Sequence, residues 1–85
     1  MSTVRLTEVP LQQPVQIVSL ELPLQEIARL RSVGIEQGGR IQVLRKGWGQ
    51  GPLHVRLAHG EEFGLDRTLA HALWGILPGE SSTEA

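Results

Sequence analysis

The chain has no cysteine, no tyrosine, one phenylalanine and two tryptophans among its 85 residues. The missing thiols exclude disulfides, thiolate zinc sites and a cysteine nucleophile together. Neither sign of charge dominates, since eight basic and nine acidic residues leave a net charge of -1 and a pI near 6.3. A chain so balanced lacks the electrostatic footprint that grips a polyphosphate backbone, so nucleic acid is not an expected partner. Long apolar runs are missing too: the purely apolar stretches are a few residues each, against the about 20 that a bilayer-spanning helix needs. Direct membrane insertion is therefore not expected. The opening residues Met1-Ser2-Thr3-Val4-Arg5-Leu6 have neither the basic segment nor the apolar run of an export signal, and the expected location is cytoplasmic. Catalytic constellations are also lacking. Ser19, Ser32 and Thr68 have no recognisable base beside them, and no carboxylates are paired at a spacing suited to acid and base roles. The chain is not expected to be an enzyme.

What is present suffices for a small core. Hydrophobic residues make up 40% of the chain, outside the composition that signals disorder. A domain of this size hides roughly two thirds of the surface its unfolded chain exposes, so its stability is expected to be modest. Val15-Gln16-Ile17-Val18-Ser19-Leu20, framed by prolines and rich in β-branched residues, reads as a strand. After Pro23 the period changes: Leu24, Ile27 and Leu30, with Ala28 and Val33 adjoining, share a helical face, and Gly34 suits the left-handed end of a helix over 24–33. Arg40 to Arg45 and Leu53 to Ala58 alternate as strands, His59-Gly60 reads as a tight turn, and Phe63 and Leu65 continue the inward face on a return strand. A short helical turn over Thr68 to His71 and a last strand near Leu73 to Leu77 complete the pattern. Residues 78–85 read as a frayed tail. The expectation is one domain over 1–85, mostly β: a small SH3-like barrel of about five strands, with one α-helix inserted between the first two strands.

The order of these pieces resembles the FeoA family of bacterial ferrous iron uptake systems. The matching stretches are Leu6-Thr7-Glu8-Val9-Pro10, Val15 to Leu20, Arg29 to Gly38, Ile41 to Lys46, Gly51 to Leu57, and Leu65-Asp66-Arg67 with Ala70. Together they span roughly residues 6–77. The opening turn departs from the pattern, because Gln12-Gln13-Pro14 stands where the family usually has a glycine. The resemblance implies an SH3-like barrel, neither transporter nor GTPase, that acts on the cytoplasmic GTPase region of the ferrous iron permease FeoB. The same fold also occurs as the last domain of some metal-dependent repressors, so a binding role is common to both settings.

Within that frame the partner-binding candidates are Trp48 and Gly49 in the glycine-flanked loop, Arg45 and Lys46 beside it, and Arg31 on the exposed helix face. Trp48 either anchors a partner, offering large rigid surface at little entropic cost, or folds back as a lid over the barrel end. Trp74, next to Leu73 and Ile76, reads as structural. Gly47, Gly49 and Gly51 do not make a phosphate loop, because Pro52 and a strand follow where a helix with Lys and Ser or Thr is required. They are read as turn chemistry and mobility. The metal-ligand candidates are His54, His59 and Glu62, with His71 and Glu61 as the other donors of that kind. His54 and Glu62 should share one face of paired strands, where they either hold an ion or remain ordinary solvated side chains. No cofactor is required. The alternative to the regulatory role is a metal-responsive protein whose zinc or iron ion bridges a homodimer.

Overall fold

A computed structural model describes residues 3–77. Six strands form a single antiparallel sheet: β1 Thr3–Arg5, β2 Pro14–Leu20, β3 Arg40–Lys46, β4 Leu53–Leu57, β5 Glu62–Leu65 and β6 Leu73–Ile76. Their spatial order is β1-β6-β2-β3-β4-β5, so the last strand in sequence lies between β1 and β2. The sheet bends at two register shifts, between Ile17 and Ser19 on β2 and between Val43 and Arg45 on β3. Such bulges raise local twist and let a short sheet curl around one core. The result is the mostly-β, SH3-like barrel that the pattern predicts, with one strand more than expected. The extra strand is β1, three residues on the sheet edge, too short for any period to show. It also moves the helix from between the first two strands to between β2 and β3. The tail expected over 78–85 lies outside the described residues.

Alternation sets the core. Val15 and Ile17 on β2, Ile41 and Val43 on β3, and Leu53, Val55 and Leu57 on β4 all turn inward, joined by Leu6, Val9, Ile35, Leu65 and Leu73. None of the buried residues among those described is polar or charged. Gly75 on β6 lets the backbone approach β2, since a Cβ there would stand 2.9 Å from Val15 Cγ2.

The helix α1, Leu24–Ser32, follows Pro23 in extended conformation and ends in a Schellman motif. Gly34 takes a φ of 101°; its N–H donates to Arg31 O at 3.0 Å and that of Ile35 to Leu30 O at 2.9 Å. The accompanying apolar contact is the buried pair Leu30 and Ile35. Contrary to the expected apolar face, Leu30 is the only buried residue of α1, and Leu24 is 83% exposed. Only the last turn is tucked in, which is what the Schellman closure at Gly34 and Ile35 achieves. The expected turn at His59-Gly60 forms, with Gly60 at φ 98° and its N–H on Leu57 O at 2.9 Å. The short helix α2, Arg67–His71, is capped by the Asp66 carboxylate, which accepts from the N–H groups of Thr68 and Leu69.

At the opening turn, where a glycine was missed, Gln12 itself adopts a φ of 68°. Positive φ is costly for a residue with a Cβ. Three hydrogen bonds hold it there: Gln12 N–H to Val43 O at 2.8 Å, Gln12 Nε2 to Leu44 O at 2.8 Å, and Gln42 Nε2 to Gln12 O at 2.6 Å.

Candidate functional site

The loop from Gly47 to Pro52 joins β3 to β4 and presents Trp48, which is 99% exposed. The lid alternative is thereby corrected: the indole does not close the barrel. Within the loop the Gly51 N–H donates to Trp48 O at 2.8 Å, closing a four-residue turn, and the Gly47 N–H donates to Pro52 O at 2.9 Å. Gly49, first central residue of that turn, has a φ of 55°, while Gln50 has no positive φ. That is the pattern of a type II′ turn, which requires glycine at this position. The glycines thus build a closed, hydrogen-bonded turn.

Arg45 is exposed and lies opposite His54 on β4. Lys46 is committed elsewhere, its Nζ donating to Thr7 O at 2.7 Å in the 3₁₀ turn at Leu6–Glu8. Arg31, in the last turn of α1, lines a separate cleft with Ser19, Leu20, Ile27, Glu36 and Gln37. The structure therefore gathers Trp48, Gly49, Arg45 and Lys46 at one end of β3, while Arg31 belongs to a different cleft. Sequence reasoning missed Arg67. Its Nε donates to Gly51 O at 3.0 Å in a partly buried bond, linking α2 to the Trp48 turn across sixteen residues of chain. No local pattern signals a side-chain-to-backbone contact of that reach. Between turn and helix lies an open cleft of about 420 Å3 lined by Thr7, Gln50, Asp66, Arg67, Thr68 and His71.

On the outer face of β4 and β5, Glu62 joins two partners. Its Oε1 lies 3.0 Å from His54 Nε2, and its Oε2 accepts from Arg56 Nε at 3.1 Å and Nη2 at 2.8 Å. The hydrogen bonds from His54 and then Arg56 hold the Glu62 carboxyl below the usual carboxylate range. His59 Nε2 pairs instead with Glu61 Oε1 at 3.2 Å in the hairpin turn. Among the described residues no group of three or more His, Cys, Asp or Glu is placed to hold a metal ion. A resident ion fits poorly at His54 and Glu62 in one chain, because both carboxylate oxygens are engaged and one of them faces a guanidinium.

Trp74, on β6, is half-buried, with the Arg5 guanidinium 4.2 Å above its ring. Arg5 also donates to His71 O at 2.7 Å and lies 3.6 Å from Glu21. Among the described residues the buried indole Nε1 has no hydrogen-bond partner.

The bent six-stranded sheet, its core and its outward-turned Trp48 place the chain among the small SH3-like barrel proteins. Within that class the chain belongs to the FeoA domain family, whose model matches residues 4–79 and which is associated with ferrous iron transport. A FeoA from Stenotrophomonas maltophilia, solved in complex with zinc and described as a prokaryotic SH3 domain protein, is 26% identical over 95% of this chain and 94% of that one, with a TM-score of 0.66. The FeoA protein from Chlorobium tepidum is 23% identical with a TM-score of 0.77, over 89% of this chain and 72% of its own. A manganese-dependent transcriptional repressor, with a TM-score of 0.79 and 19% identity, is matched over 91% of this chain but only 37% of the repressor. The same barrel thus occurs as one part of a larger protein. None of the curated proteins matches the chain. No helix among the described residues is long and apolar enough to cross a membrane.

Proposed function

We propose that the chain is an accessory regulator of bacterial ferrous iron uptake that docks, in the cytoplasm, on the GTPase region of a FeoB-type permease. The observation that carries this reading is Trp48, a wholly exposed indole on a hydrogen-bonded turn. Exposing a tryptophan contributes nothing to folding, whereas a large rigid side chain of this kind dominates binding energy when it fills a partner's pocket. Arg45, exposed at the same end of β3, adds charge at the rim of the contact. The barrel would act by binding one conformation of the partner more tightly than another and so shifting its equilibrium. Amide NMR spectra of the labelled protein, recorded while the GTPase region is added, test the reading. Selective shifts or broadening from Arg45 to Pro52 support it, and a spectrum unchanged at high partner concentration removes it.

The zinc held by the Stenotrophomonas protein favours a second reading, in which an ion bridges two copies through His54 and Glu62 of each. Two donors per chain are too few alone but add up across a two-fold axis, and the ion would have to displace the bonds that Glu62 makes to His54 and Arg56. Mass in solution with and without zinc, for the wild type and His54→Ala, decides it: a monomer throughout ends this reading.

A further inference from the structure

Holding the Trp48 turn in one conformation carries a cost that its burial does not offset. Three of the six residues from Gly47 to Pro52 are glycines, which lose more conformational freedom on ordering than any other residue. The tryptophan they carry buries almost nothing. Two hydrogen bonds close the turn from within, and its backbone is drawn tight: a Cβ on Gly47 would stand 2.8 Å from Pro52 O, and one on Gly51 would stand 3.0 Å from Trp48 O. From outside, the Arg67 Nε bond to Gly51 O ties the turn to α2. The open cleft on that same side, with Gln50 on one wall and Thr68 and His71 on the other, leaves the turn unpacked against α2. The guanidinium bond is therefore the tether that spans this gap.

We infer that Arg67 is a positioning residue for Trp48: it holds the turn in one posture, so that the indole meets a protein partner already ordered. The partner such an anchor fits has a rigid apolar recess of indole size, because ordering the anchor in advance removes an entropic cost that a soft surface would otherwise impose on association. The inference rests on the docking reading of Trp48, but its first test does not.

That test compares backbone 15N relaxation and amide exchange in the wild type, Arg67→Met and Arg67→Lys. Methionine keeps an apolar stem and removes the donors, while lysine restores one donor. The wild type is expected to show order parameters of about 0.85 from Gly47 to Gly51, falling below about 0.6 in Arg67→Met and recovering in Arg67→Lys. Exchange at the core amides of Val43 and Val55 should stay unchanged, which separates positioning from general loosening. Equal order in the wild type and Arg67→Met overturns the inference. So does a turn that is already mobile in the wild type. With the GTPase region as ligand, Arg67→Met is expected to lose about three- to tenfold in affinity. The double variant with Trp48→Ala should bind no more weakly than Trp48→Ala alone, since Arg67 acts only through Trp48. Additive losses would mean that Arg67 touches the partner itself and would overturn the positioning role. Failure of the wild type to bind would remove the docking reading, with the relaxation data still deciding whether Arg67 holds the turn.

Discussion

Trp48 and Trp74 are the only tryptophans in the chain, and the barrel treats them in opposite ways. Trp74 sits on a central strand, half-buried beneath the Arg5 guanidinium and next to a glycine that admits close strand approach. Trp48 sits on a turn whose glycines offer it nothing to pack against. What differs is the backbone around each: one indole lies in a ladder with strands on both sides, the other on a loop closed by its own hydrogen bonds. The comparison separates an indole that the fold packs from one that the fold leaves exposed.

The largest effect that could break this comparison is at the core beneath Trp74. Leu73 is wholly buried, and Leu73→Ala is expected to cost about 2–5 kcal/mol in urea denaturation. Trp74→Ala should cost about 2 kcal/mol or more. Trp74→Phe should stay within about 1 kcal/mol of the wild type, because losing indole area is offset by removing a buried N–H that has no partner. Trp48→Ala is expected to leave stability unchanged to about 0.5 kcal/mol. A loss like that of Trp74→Ala would erase the distinction.

A smaller effect concerns acid. The Glu62 carboxyl is held below its ordinary value of 4.5, first by His54 and then by Arg56. A depressed carboxylate stabilises the fold fully above its unfolded value, and the contribution drains away as the pH falls through the lower folded value. Glu62→Gln should therefore flatten the acid limb of stability against pH below about 4.5 by lowering the neutral plateau slightly while leaving stability at the acid end unchanged. An acid limb of unchanged slope would contradict the assignment. Gln12→Gly is also expected to have a small effect, shifting stability by less than about 1 kcal/mol. Relief of the positive φ is offset by loss of the bond to Leu44 O and by a freer unfolded chain.

Alternation made most of the barrel legible in the sequence, because inward Val15, Ile17, Ile41, Val43, Leu53, Val55 and Leu57 follow the two-residue period that only a strand satisfies. Gly34 marked the end of α1 for an equally local reason. Short or distant features were not legible. β1 is three residues long, and its partner β6 lies at the other end of the chain. The exposure of α1 depends on how far the barrel extends beneath it. The hydrogen bonds that let Gln12 stand where glycine was expected come from Gln42, Val43 and Leu44, some thirty residues away. At the site, the sequence singled out Trp48 and the pairing of His54 with Glu62, but not the tether from Arg67 or the commitment of Lys46 to Thr7. Side-chain contacts to distant carbonyls leave no periodic trace.

The central claim is that Trp48 serves a partner and not the fold. Calorimetric titration of the permease GTPase region with the wild type and with Trp48→Ala, alongside thermal unfolding of both, tests it most directly. The account predicts at least about tenfold weaker binding for Trp48→Ala at an unchanged melting temperature. Equal affinity for the two proteins, or a lowered melting temperature that explains the loss, would contradict it.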